Sequence, residues 1–379
     1  MRTLIKNGTI IIDGKRRIDN GAILVEGDRI IGVYKNYQNI KYDQAIDAKG
    51  QYIIPGLLDT HTHGVMGYDF NTCQKEDLEK IQSALLQEGV TAFMASLTCE
   101  NHERMLELLD MYEESHVENL IGVHIEGPFL NLNKKGVMKE EDIQKPQPDK
   151  FYEYLNHCHK ITSMTIAPEL PGSLDIIQRG NDCGIVMNVG HSDASSSQVI
   201  EAQQHGAKGI THLYNAMSQH LHREPGVVTG AIISQLMCEL IVDGFHIHPD
   251  IIKATYQMIG SDRLVLITDS NPCKGLPDGE YTFSGKNVQI IDGKARVKET
   301  GRIAGSTIAM NKECYLMMKY TNCTIDDVVK MACYNPAKLY GLKKGQLAVG
   351  YDADILIVNE QFDISTIMSL GQIIEKENL

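Results

Sequence analysis

The chain has 379 residues, room for two or three domains at roughly 100–200 residues each. Apolar residues make up 42 % and charged residues 22 %, so a folded, well-cored protein is expected. The formal net charge of −13 argues against a nucleic-acid binder and against adhesion to anionic membranes.

The first fifty residues read as a β meander. Ile/Val-rich runs at 9–12, 22–25 and 30–33 are separated by the turn pairs Asp13-Gly14, Asn20-Gly21 and Glu26-Gly27. No signal-type apolar region develops before Asn7-Gly8. The most apolar long run, 227–245, is broken by Ser234, Gln235, Glu239 and Asp243, which disfavours a membrane span. Nine scattered cysteines with no CxxC read as free thiols, and a cytoplasmic protein is expected.

The middle of the chain alternates. Apolar, strand-like runs recur eight times, at 53–59, 90–98, 120–126, 161–167, 185–190, 209–212, 238–243 and 264–268. Helical periodicity fills the gaps, for example over 75–88, 102–114 and 195–205. Eight strand–helix units point to an α/β (β/α)8 TIM-type barrel with its site at the C-terminal strand ends. An open doubly wound sheet is the rival, but no GxGxxG follows any of the strands. Residues 275–301 read as a hairpin insertion over the barrel mouth, and 350–358 returns to the β pattern of the N-terminus.

Polar residues that do not suit a barrel core gather at the strand ends. In Asp59-Thr60-His61-Thr62-His63, alternate residues share a face, so Asp59, His61 and His63 point inward. A His pair suits a divalent metal, and it equally suits two histidines near a surface turn. His124 and Glu126 share the inward face of the third strand, where a carboxylate needs a partner, although Gly127-Pro128 also fits a solvated loop. His191, His212 and Asp269 each stand at a later strand end, and Asp269 alone would suit a helix cap. Their shared position in one barrel, with N/O ligands and no cysteine, points to a Zn, Mn, Fe or Co site and metal-assisted hydrolysis.

These residues carry a resemblance to the amidohydrolase superfamily and, within it, to the N-acetylglucosamine-6-phosphate deacetylases. It extends over nearly the whole chain through Pro-Gly-Leu-Leu-Asp-Thr-His-Thr-His-Gly, His-Ile-Glu-Gly-Pro-Phe, Gly-His-Ser, Thr-His-Leu-Tyr-Asn-Ala-Met, His222-Arg223-Glu224-Pro225-Gly226, Asp-Gly-Phe-His and Tyr334-Asn335-Pro336-Ala337. The resemblance implies a barrel over 54–343 and a small β-sandwich made from 1–53 and 344–379. It implies hydrolysis of the acetamide of an N-acetyl amino-sugar 6-phosphate. By motif, Glu126, His191 and His212 match the ligands of a main metal, and His61 and His63 a pair used for a second one. Asp269 matches the general base and acid and also stands at the metal. His246 matches a contact to the scissile carbonyl, and Asn215 and Ala216 match substrate contacts. Arg223, with His222 beside it, matches a phosphate-binding arginine from a neighbouring subunit, which implies a homodimer. One departure stands out: Met138 occupies a place where relatives carry a polar residue, often His. It leaves open N-acetylgalactosamine 6-phosphate or another amidohydrolase substrate. A catalytically silent binding protein on the same barrel is the alternative of another class.

Overall fold

The computed structural model describes residues 1–375; the last four residues of the expected end segment, 376–379, lie outside it. Eight parallel strands run in chain order around a barrel: Leu57–Thr62, Val90–Leu97, Leu120–Glu126, Ile161–Ile166, Val186–Val189, Gly209–Ile210, Met237–Leu240 and Leu264–Leu266. Their residues are almost all buried because helices such as Leu78–Gln87, His102–Glu113 and Met310–Thr321 cover the outer face.

The last strand meets the first at a seam rather than along a full ladder. Thr62 and Ser270 form an isolated parallel bridge, and the Asp269 amide donates to the His61 carbonyl at 2.8 Å. Asp59 completes the seam. Its carboxylate accepts from the Thr268 hydroxyl (2.5 Å) and from the Thr268 amide (3.3 Å). Alternation along the first strand therefore does bury Asp59, but it ties two strands together rather than joining His61 and His63 at the mouth.

The apolar run at 53–59 divides in two. Tyr52–Pro55 joins the end sheet and Leu57–Thr62 the barrel, with Gly56 at the crossing. A Cβ on Gly56 would lie 2.0 Å from the Thr91 hydroxyl, so only glycine lets the chain pass this close.

Both chain ends build one eight-stranded sheet in which Ile355–Val358 pairs antiparallel with Tyr52–Pro55. Arg2–Ile11 serves two partners on one edge: residues 3–6 pair with Gln44–Asp47, and Thr9 and Ile10 with Tyr52 and Ile53. On the other edge, the ladder with Arg17–Glu26 shifts register on either side of Gly8, where that change of partner falls. The sheet buries its own apolar cluster, including Ile5, Ile23, Ile53, Ile355 and Met368.

The expected hairpin insertion has a third strand. Gly279–Phe283, Lys286–Ile291 and Lys294–Val297 form an antiparallel meander. Phe283, Val288, Ile290, Ala295 and Val297 pack with Cys273 and Ala304 beneath it.

Candidate active site

A cavity of about 150 Å³ opens at the C-terminal ends of the barrel strands. Its walls include His63, Glu126, Met138, His191, His212, Asn215, Ala216, His246 and Asp269. The meander supplies Phe283, whose ring lies 5.6 Å from that of His63. His61 sits behind this wall, fully buried.

Two groups of side chains converge here, each with the chemistry to hold a cation: Glu126, His191 and His212, and His61, His63 and Asp269. In the first, Glu126 Oε1 lies 3.0 Å from His191 Nε2 and 3.1 Å from His212 Nε2, and the two nitrogens are 3.0 Å apart. Bonds of about 2.0–2.1 Å to a small divalent ion set donor–donor edges of roughly 3 Å, which these separations match. In the second, His63 Nε2 lies 3.1 Å from Asp269 Oδ1, and His61 Nε2 lies 3.7 Å from the same oxygen. Glu126 stands between the groups, within 3.5 Å of both His61 and His63.

The other edge of the rings decides their tautomers. His63 Nδ1 faces the Ser96 carbonyl at 3.0 Å, and His191 Nδ1 faces the Lys134 carbonyl at 2.7 Å. A carbonyl only accepts, so each Nδ1 carries the hydrogen and the neutral ring offers its Nε2 lone pair to the centre. His61 Nδ1 donates in the same sense to Glu239 Oε2 at 3.0 Å, and its Nε2 is left without a hydrogen-bond partner. Imidazoles oriented from behind by carbonyl or carboxylate are the usual support of metal-binding histidines. An orphaned, buried Nε2 aimed at two carboxylates therefore fits a divalent ion.

In the ion-free protein the same packing polarises the groups. Burial pushes the Asp269 carboxyl up, but His61 and His63 outweigh it and bring it down to about 2. Burial likewise opposes ionisation of Glu126, and His191, His212 and His61 hold it well below the usual carboxylate range. Burial pulls His61 down, yet Glu239 and Asp269 raise it well above an ordinary imidazole, and His63 is raised by Asp269 and Glu126 against the same burial.

Backbone conformation aims several of these side chains. His191, His212 and Asp269 stand just beyond their strands with φ of 46°, 28° and 45°, and Ala216 has φ 48°. Non-glycine residues avoid this left-handed region at a cost on the order of 1–3 kcal/mol each, and its concentration here marks a site where geometry outranks stability.

His246 lines the cavity on a turn built by Asp243. One oxygen of Asp243 accepts from the Phe245 and His246 amides (2.8 Å each), and the other from His246 Nδ1 (2.7 Å). Asn215 reaches back to the His212 carbonyl at 3.3 Å. His222 and Arg223 do not join the cavity; both are exposed on the loop before Gly226. His124 faces inward, but both ring nitrogens are occupied, by the Ser96 hydroxyl at 3.0 Å and the Thr165 hydroxyl at 2.8 Å. Sequence reasoning missed Glu239 as the partner of His61 and Asp243 as the support of His246. Glu239 did carry a signal: a buried charge inside an apolar strand needs a partner.

The sequence profile of the Amidohydrolase family matches residues 52–374. The chain belongs to that family. An N-acetylglucosamine-6-phosphate deacetylase of Lysinibacillus sphaericus is 32 % identical over 98 % of this chain and 97 % of its own length. That of Bacillus subtilis (strain 168) is 33 % identical over 98 % of this chain and 96 % of its own. A solved structure of a mutant N-acetyl-D-glucosamine-6-phosphate deacetylase from Mycobacterium smegmatis, in complex with N-acetyl-D-glucosamine-6-phosphate, superposes with a TM-score of 0.94. It is 28 % identical and covers 99 % of this chain and 100 % of that one. This amidohydrolase thus matches these deacetylases over at least 96 % of their length. No helix among the described residues is long and apolar enough to cross a membrane.

Proposed function

We propose that this amidohydrolase hydrolyses the acetamide of N-acetyl-D-glucosamine 6-phosphate to D-glucosamine 6-phosphate and acetate, in amino-sugar catabolism in the cytoplasm. The observation that carries the reading is the pair of His/carboxylate groups with Glu126 between them, in a chain that aligns with such deacetylases over almost its whole length. The nine free thiols are in keeping with a reducing compartment.

His61, His63 and Asp269, and Glu126, His191 and His212, would hold one or two divalent ions (Zn, Fe, Mn or Co). A divalent ion bound there supplies Lewis acidity toward the acetamide carbonyl and toward water. Asp269 takes the proton of the attacking water as a carboxylate. It returns that proton to the amine nitrogen as the C–N bond breaks, since an amide nitrogen leaves poorly without one. His246, held at Nδ1 by Asp243, lines the cavity and stabilises the developing oxyanion. Asn215 and Ala216 line the substrate's approach. Arg223, with His222, serves the phosphate from the neighbouring subunit of a homodimer; an exposed guanidinium offers the planar, bidentate donors that a phosphate takes.

A second reading, N-acetylgalactosamine 6-phosphate, rests on Met138. It lines the cavity and packs with Cys99 and Leu130, and a thioether cannot donate a hydrogen bond to a sugar hydroxyl. The test is acetate release from both epimers, phosphorylated and free, with metal content measured on the same anaerobic preparation. Fastest release from the glucosamine epimer is expected. Preference for the other epimer would replace the substrate. An empty site with no turnover after addition of Zn, Mn, Co or Fe would favour a silent binding protein.

A further inference from the structure

Helix Met310–Thr321 packs outside the barrel, yet it carries a carboxyl group into the interior. Glu313 is fully buried. Its Oε1 accepts a hydrogen bond from the Val242 amide at 2.5 Å, and its Oε2 has no partner. Val242 lies just past the end of strand Met237–Leu240, where the barrel ladder no longer supplies an acceptor. The next residue is Asp243, whose two oxygens hold the Phe245 and His246 amides and the His246 ring. The same helix touches this turn a second time. Seven residues on, Tyr320 lies so close to Gly244 that a Cβ there would stand 2.6 Å from its hydroxyl, and Gly244 has a φ of +72°.

We propose that Glu313 is a positioning residue for His246: it grips the Val242 amide and thereby fixes Asp243, which in turn sets the His246 ring. A carboxyl is a costly choice for a fully buried helix position with one oxygen unpaired. An apolar residue would serve packing alone more cheaply. Burial pushes this carboxyl well above the usual range, Asp59 and Asp243 add to the effect, and the Val242 amide and Lys274 oppose it only in part. The Val242 amide asks only for an acceptor at this place, and the side-chain carbonyl of glutamine offers one on the same stem.

The experiment uses the metal-loaded full chain with Glu313→Gln and Glu313→Met, each in the wild-type and the His246→Asn background. Glu313→Gln should hold kcat within about twofold. Glu313→Met should lower kcat at least tenfold with KM changed less than twofold, and should have no further effect when His246 is already Asn. An equal loss in both backgrounds, or wild-type kcat in Glu313→Met, overturns the proposal. So does a loss in Glu313→Gln as large as in Glu313→Met. Should the Met variant fail to fold, Glu313→Asp, one methylene short of Val242, takes its place with the same expected losses, and wild-type values in it overturn the proposal. The kinetic arm rests on the deacetylase reading. A second arm does not: the His246 Nδ1–H proton resonance, assigned by its loss in His246→Asn, should persist in Glu313→Gln and exchange away in Glu313→Met. A wild type without deacetylase activity would refute that reading, and an unchanged resonance in Glu313→Met would refute this one.

Discussion

Glu239→Leu isolates the support behind one ring of the site. Glu239 Oε2 accepts from His61 Nδ1 at 3.0 Å and from the His212 amide at 3.2 Å. Leucine fills similar volume and accepts nothing. His61 then loses the bond that keeps its hydrogen on Nδ1, and its Nε2 no longer presents a lone pair by default. A hydrogen bond to a charged group contributes about 1.5–3 kcal/mol, which at 1.4 kcal/mol per decade is roughly 10- to 150-fold in affinity. Loss of an outer partner of a metal-binding histidine generally costs about 10- to 100-fold, the same range. The effect should be uneven. An ion held by His61, His63 and Asp269 should weaken within that range. One held by Glu126, His191 and His212 should weaken less than threefold, because only the His212 backbone is touched. Glu239→Gln, which keeps an acceptor without the charge, should fall between wild type and Leu. Competition of ion-free protein against a chromophoric chelator, run well below the unfolding transition, reads both affinities. Equal weakening of the two, or no weakening of either, would refute the assignment of Glu239 as the support of His61.

Three further outcomes are expected. Asp269→Asn should retain metal at Glu126, His191 and His212 while losing at least about 100-fold in turnover, the lower end of general acid–base contributions; near-normal acetate release would remove Asp269 from that role. Arg223→Ala should raise KM for the phosphorylated sugar far more than for the free sugar, and equal effects would refute the phosphate contact. Because His61 and His63 are raised in the ion-free protein, they hold their protons to higher pH than an ordinary imidazole, and metal must displace those protons. Metal affinity should therefore fall as pH drops, and titration calorimetry in buffers of different ionisation enthalpy should register net proton release. Proton uptake would contradict the sign.

The barrel was legible because its signals are local. A buried parallel strand needs a continuous apolar run and its crossover needs a helical period, and both are read within ten or so residues, as at Val90–Leu97 and His102–Glu113. The site was legible for a related reason. A strand end in a barrel faces the mouth, so His61, His63, Glu126, His191, His212 and Asp269 could be gathered from position along the chain alone. The split of 53–59 between two sheets was not legible, since a single glycine between two apolar runs does not announce which sheet each side joins. It took the approach of Thr91 to make Gly56 necessary.

What the sequence by itself determined is the order of the elements, the residue types at their ends and hence the class of chemistry. Only the tertiary structure decided how those residues are held. Glu239 supports His61 across 178 positions of chain, Asp59 closes the seam with Thr268 across 209, and Glu313 reaches Val242 across 71. Nothing in local periodicity records such pairings. They exist because barrel closure buries polar groups from distant segments in one small volume, where each donor and acceptor must find a partner away from water. At His61, His63 and His191 those partners then choose which nitrogen of the imidazole faces the centre.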